Sequence, residues 1–362
     1  MSTRTALAPA PLATTTPPTF GLEEEFMLVD PVTLEQQPRA EAVLARLAES
    51  LPPGTSVAHE FLASQIEHAS PVFSDLPTAL AELSAFRAHL AAAANAEGLL
   101  VYSGGMPFQA AAHPTLTDDP RYDRVRASFR EVIADHQVSG LHVHVAVPNR
   151  EVGVRVLGRI RPWLPTLLAL SGNSPYWRGV DTGFASWRTI MMRRWVTAGC
   201  PPAFRDAADY DRRLAALVGI GGTVDVETVA WNARLSEHYP TVEFRVFDAQ
   251  LTAADSVLLA ALARGIVERA IENDDEPMPA VDPELLDAAL WHAARDGLSD
   301  QLVCDGKLVP AQAAVDELLD YVVLSADDRA FVADHLFAGT GAERQRAAFA
   351  EAGLEGLGTL AE

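Results

Sequence analysis

Between Phe20 and Leu28, apolar residues occupy every second position, Phe20, Leu22, Phe26 and Leu28, with Glu24 in the one gap. That period predicts a strand, on which Glu23 and Glu25 share the opposite face. Acids are depleted in strands, and like charges side by side repel. This face therefore meets either water or cations, whereas Glu24 reads as structural. Helical spacing follows over Ala40 to Leu51, stopped by Pro52-Pro53-Gly54. Val57 to Glu67 reads as two extended pieces broken at Ala63-Ser64. Without that break Glu60 and Glu67, seven positions apart, point to opposite faces.

Pro77 to Glu97 is an Ala- and Leu-rich helix with Glu82 and Arg87 outward. Leu99 to Tyr102 reads as a buried strand, and Arg121 to His136 is helical in period. Gly140 to Pro148 is the clearest strand: His142 and His144 on one face, Leu141, Val143 and Val145 on the other. Asn149 opens a helix to about Ser171, bent at Pro162 and Pro165. The segment from Gly172 to Pro202, rich in Gly, Pro, Trp and Arg, has the composition of a binding loop. Asp206 to Val218 is a helix, Val224 to Trp231 extended, and Pro240 to Asp248 a strand with Glu243 and Arg245 on one face. From Thr252 onward the pattern is nearly all helix.

Composition narrows the classes. Apolar residues at 49% and charged ones at 21% describe an ordinary globular protein. A net charge of -21 disfavours nucleic acid and anionic membranes as partners, and no run reaches the ~18 apolar residues of a membrane span. Cys200 and Cys304 support neither a disulfide scaffold nor a thiolate zinc site, which fits a reduced, cytoplasmic chain. Met1 to Thr19 is expected to be a disordered leader.

Three strands each place two site-capable side chains on one face: Glu23 with Glu25, His142 with His144, and Glu243 with Arg245. Glu60 and Glu67 add two more acids. Carboxylates gathered around one centre raise one another's pKa values until some take up a proton, unless a divalent metal joins them, and an oxygen-rich set with imidazole suits Mg2+ or Mn2+ over zinc. Ions so held suit phosphoryl transfer, with Arg245 on a phosphate. Arg188, between Trp187 and an apolar run, reads as a pocket residue. The pairs Gly104-Gly105 and Gly221-Gly222 match no phosphate-loop pattern.

The ordered motifs Gly21-Leu22-Glu23-Glu24-Glu25-Phe26, Glu60 with Glu67 before Ser70-Pro71, Gly140-Leu141-His142-Val143-His144, Asn173-Ser174-Pro175, Asp181-Thr182-Gly183-Phe184-Ala185-Ser186 and Glu243-Phe244-Arg245-Val246-Phe247-Asp248 resemble the carboxylate-amine ligases of the second glutamate-cysteine ligase type. The resemblance implies an α+β, glutamine synthetase-like fold, an antiparallel sheet forming a funnel flanked by helices, in one catalytic domain over 20–362. It implies magnesium ligands at Glu23, Glu25, Glu60, Glu67, His142 and Glu243, and ATP contacts at His144 and Arg245. It also implies catalytic roles for Arg245 and Glu243, a carboxylic acid and an amine as substrates, and a homodimer. Arg188 and Arg194 are the expected substrate contacts, by their position in the loop. Glutamate and cysteine are the default pair. Two other readings stand beside it: a metal-dependent amidohydrolase using the His-x-His strand, and a Ca2+-binding structural protein.

Overall fold

The computed structural model describes residues 16–336 and 338–362. Most of the expected leader lies outside them; at its described end, the Thr19 carbonyl accepts a hydrogen bond from Ala146. The elements run in the order β1 (Phe20–Val29), α1 (Ala40–Ser50), β2 (Ser56–His59), β3 (Gln65–Ala69), α2 (Leu76–Asn95), β4 (Leu100–Tyr102), α3 (Pro120–Phe129), β5 (Gly140–Ala146), α4 (Arg150–Ile160), α5 (Leu164–Ser171), β6 (Tyr176–Trp177), β7 (Val180–Asp181), α6 (Trp187–Met192), α7 (Ala207–Gly219), β8 (Ala233–Leu235), β9 (Thr241–Asp248), α8 (Ala253–Glu272), α9 (Pro283–Asp296), β10 (Gln301–Cys304), β11 (Lys307–Pro310), α10 (Ala311–Tyr321), α11 (Ala326–Leu336) and α12 (Gly341–Gly358). This is an α+β chain whose second half is mainly helical.

The main sheet is antiparallel at every pairing, with strands in the order β2-β3-β1-β5-β9-β8 and β4 also on β1. Its two faces differ as alternation demands. Phe20, Leu22, Leu141, Val143, Val145, Val242 and Phe244 are buried in the main core, against apolar residues of α2, α4, α5 and α8. Their neighbours in sequence point to the other face, where the acids and histidines gather.

Glu24 lies on the core face. It is matched there by Arg87, 2.7 Å away, and by the Ser256 hydroxyl, which donates at 2.6 Å. Arg87, expected to point outward from α2, is thus buried at 3% exposure. Its guanidinium also donates to the carbonyls of Gln250 and Leu251, so the pair ties β1 to α2 and to the start of α8.

Two further expectations are corrected. Val224 to Trp231 is not extended: Asp225 accepts from the Thr228 amide at 2.8 Å and curls the chain. The carboxyl-terminal half also holds the hairpin β10–β11. Its turn, Asp305-Gly306, takes φ of 47° and 71°, as a two-residue hairpin turn requires, and that dipeptide was the signal in the sequence.

Candidate active site

Strand register assembles the site. Glu23 stands opposite His142, Glu25 opposite Glu67, His144 opposite Glu243, and Glu243 opposite Arg234. One more device is needed at β9, because Glu243 and Asp248 are five apart and strict alternation would send them to opposite faces. The β5–β9 register shifts between Leu141 and Val143. This bulge lets Phe244 and Phe247 both face the core, while Glu243, Arg245 and Asp248 serve the polar side.

The polar side chains converge closely. His142 Nδ1 is 3.0 Å from Glu23 Oε2, His144 Nε2 is 3.2 Å from Glu23 Oε1, and His142 Nε2 is 3.8 Å from Glu25 Oε1. Arg245 donates to Glu243, which also accepts from Arg234 Nε at 2.6 Å. Glu25 Oε2 accepts the Gly140 amide at 2.7 Å, and Glu60 Oε2 the Tyr122 hydroxyl at 3.1 Å. A cavity of about 390 Å³ opens over this face, lined by Glu23, Glu25, Glu60, Glu67, His142 and Arg245 among others.

The electrostatics divide the acids into two sets. Burial pushes Glu23 up, but the imidazoles of His142 and His144 beside it outweigh that and hold the carboxylate below its ordinary range. Arg245 and Arg234 do the same for Glu243 against burial. Glu25 is pushed up to about 8, by burial and then by Glu60. Glu67 rises well above its ordinary value through burial and the charges of Glu60, Glu23 and Glu25, and burial raises Glu60. Burial and Arg245 lower His142 to about 4, so its ring is neutral and able to ligate.

Two groupings hold one ligand atom per residue within 4.8 Å of each other: Glu23, His144 and Glu243, and Glu23, Glu67 and His142. Glu23 belongs to both. The donor sets fit a hard divalent cation with some nitrogen ligation. His144 Nδ1 is hydrogen-bonded to Thr241 Oγ1 at 3.1 Å, leaving Nε2 buried, facing Glu23 and without a directed hydrogen bond among the described residues, the orientation a ligating imidazole takes. The structure thus groups His144, which the sequence suggested as a nucleotide contact, with Glu23 and Glu243. Glu25 and Glu60 line the cavity outside both groupings.

Asp248 organises the Gly172 to Pro202 segment. Fully buried, it accepts from the Asn173 amide at 2.9 Å and the hydroxyls of Ser174 and Ser186 at 2.7 and 2.9 Å. Arg188 Nη1 lies 3.8 Å from it. Arg188 is itself buried, with Nη2 3.4 Å from the Arg245 carbonyl and Nε without a partner among the described residues. It lines a small adjoining cavity that shares Arg245, Met192 and Ala230 with the large one. Arg194 is not brought to the site. Expected as a substrate contact, it lines neither cavity, because its guanidinium is taken by Asp135 at 2.6 Å with the side chain 42% exposed.

Sequence reasoning missed Arg234, Arg121 and Tyr122. Arg234 sits opposite Glu243 only through strand pairing, and no local pattern marks it. Its Nη1 also holds the carbonyls of Val226 at 3.1 Å and Glu227 at 2.7 Å, fixing the curled segment that forms part of the cavity wall.

Comparison with known proteins agrees with this architecture. Residues 19–335 match the glutamate-cysteine ligase family 2. A relative from Nocardia farcinica, provisionally named glutamate–cysteine ligase 2-1, is 43% identical over 92% of this chain and 89% of its own. One from Frankia alni, provisionally named glutamate–cysteine ligase 2-2, is also 43% identical, over 92% and 93%. In fold, the chain is similar to the glutamate–cysteine ligase of Francisella tularensis solved in complex with AMP, with a TM-score of 0.72 at 13% identity over 96% of this chain and 88% of that one. A bifunctional glutathione synthetase from Pasteurella multocida gives 0.68 at 16% identity, over 95% of this chain and 52% of that one.

Proposed function

The chain belongs to the glutamate-cysteine ligase family 2, and from that membership we propose that it is an ATP-dependent carboxylate-amine ligase, with glutamate and cysteine as the first pair to assay. The observation that carries this reading is the double role of Glu23, shared by two carboxylate and imidazole groupings with Arg245 alongside. Glu23, His144 and Glu243 would hold one Mg2+, and Glu23, Glu67 and His142 another; Mn2+ suits the same donors. When bound, such ions offset the charge of nucleotide phosphates and of the developing transition state.

The acid's carboxylate oxygen attacks the γ-phosphorus of ATP, ADP leaves, and the resulting acyl phosphate is opened by an amine with loss of phosphate. Arg245, pinned by Glu243 and backed by the sheet, is preorganised to hold the oxygens of the transferred phosphoryl group. Arg188, buried with an unpartnered Nε, is placed for the acid's second carboxylate or for a phosphoryl oxygen. The 172–202 segment, anchored on Asp248, forms a fixed wall that shields the acyl phosphate from water. Imidazole accompanied by carboxylates favours this chemistry over the amidohydrolase reading. A cytoplasmic homodimer completes the proposal by family likeness.

The test is ADP release and amide mass, measured with ATP, Mg2+, an acid and an amine. Turnover requires all four. Glu67→Gln, which removes a carboxylate from one of the two groupings, is expected to abolish it while the circular dichroism spectrum is unchanged, and normal turnover in that variant would falsify the proposed site.

A further inference from the structure

One side of the large cavity is not polar. Phe61 and Trp195 are buried to 7% and 6% exposure, and with Tyr122, His136 and Met192 they line the cavity beside Glu60. The rings pack on one another: Phe61 on Tyr122 at 5.2 Å between centroids, Phe61 on His136 at 5.7 Å, and His136 on Trp195 at 4.6 Å.

Two polar handles of this wall are spent within the protein. The Trp195 indole N–H donates to His136 Nδ1 at 3.0 Å, and the Tyr122 hydroxyl to Glu60 at 3.1 Å. What remains is ring face, the Met192 thioether and Nε2–H of the neutral His136 ring, whose Nδ1 accepts from Trp195. Such a surface gains by covering apolar area and offers nothing that singles out a thiol.

Charge decides which substrate can use the wall. Glu60 borders it, with Glu25 and Glu67 near by; crowded carboxyl groups disfavour one more carboxylate, whereas an ammonium beside them relieves their mutual repulsion.

We propose, resting on the ligase reading above, that the acceptor is a primary amine with a large apolar or aromatic body. Its ammonium meets Glu60 and its body covers Phe61, Tyr122, His136, Met192 and Trp195. In the transfer step the ammonium gives up a proton and its nitrogen forms the C–N bond. The bond from acyl carbon to phosphate oxygen breaks, and amide, hydrogen phosphate and one further proton are the products.

The test offers the full chain ATP, Mg2+ and L-glutamate, or a panel of other acids, together with L-cysteine, 2-aminobutyrate or phenethylamine. Amine binding is followed in parallel by calorimetry without ATP. Phenethylamine is expected to exceed L-cysteine in kcat/KM by roughly tenfold or more, since even one buried methylene is worth about that. Trp195→Ala is expected to raise its KM by a similar factor with less effect on kcat, and Trp195→Phe to restore it. A preference for L-cysteine, or a Trp195→Ala variant that loses kcat equally for every amine, overturns the proposal. Absence of ADP with every pair, with phenethylamine binding that Trp195→Ala abolishes, upholds the wall as an amine site and sinks the ligase reading. Absence of both sinks both.

Discussion

Behind the sheet the carboxylate of Glu24 and the guanidinium of Arg87 lie 2.7 Å apart, each side chain 3% exposed, joined across 63 positions of sequence. Glu23 and Glu25, the neighbours of Glu24, point into the cavity instead. The pair therefore holds β1 against α2 and α8 while the other two acids remain available for chemistry.

Removing one partner leaves a buried charge uncompensated. Arg87→Met is expected to destabilise the protein by about 3–5 kcal/mol, whereas Glu24→Leu combined with Arg87→Met recovers most of the loss. Urea unfolding midpoints of the two single variants and the double variant check this; an additive double variant would contradict the pairing.

Glu23 serves both candidate metal groupings, so its loss should disable both. Glu23→Gln is expected to lower Mg2+-dependent ADP formation roughly a hundredfold or more, as losing several kcal/mol of charge stabilisation implies. It should also remove the rise in melting temperature that Mg2+ gives the wild type by binding the folded state. Chelation by EDTA should mimic the variant. A Mg2+-induced shift that survives in Glu23→Gln argues against the shared ligand.

Arg234 joins the Glu243 carboxylate to the carbonyls of Val226 and Glu227. Arg234→Met is expected to speed amide hydrogen exchange across 224–231 and to reduce kcat/KM by roughly ten- to a hundredfold, the usual loss when a ligand's orienting partner is removed. Lysine at the same position supplies charge without the planar fork and should restore little. Unchanged exchange in Arg234→Met would refute the link.

His136 is held down to about 3, by burial and then by Arg188, and its Nδ1 accepts the Trp195 indole N–H. The unfolded chain, titrating near 6.5, binds a proton that the folded chain refuses. Stability is therefore fully present above about pH 6.5 and falls as pH drops toward 3. His136→Gln, which cannot titrate, should lose less stability than the wild type between pH 7.5 and 5.5, read from urea midpoints at both values. Equal losses would mean that His136 does not carry this slope.

Much of this protein could be read from order along the chain. The alternation in Phe20 to Leu28, Gly140 to Val147 and Thr241 to Val246 set the strands and their two faces, because a side chain's direction on an unbulged strand follows from parity. The acids and histidines on those strands, and with them membership of the glutamate-cysteine ligase family 2, were local and ordered features. Tertiary structure decided what depends on partners. Arg87 is a core residue because Glu24 needs it, and Arg194 a surface residue because Asp135 takes it. Arg234 matters because pairing sets it against Glu243, and the β9 bulge brings Asp248 to the polar side. None of these has a periodic signature, since each arises from contacts between segments whose separation in sequence carries no information about their distance in space.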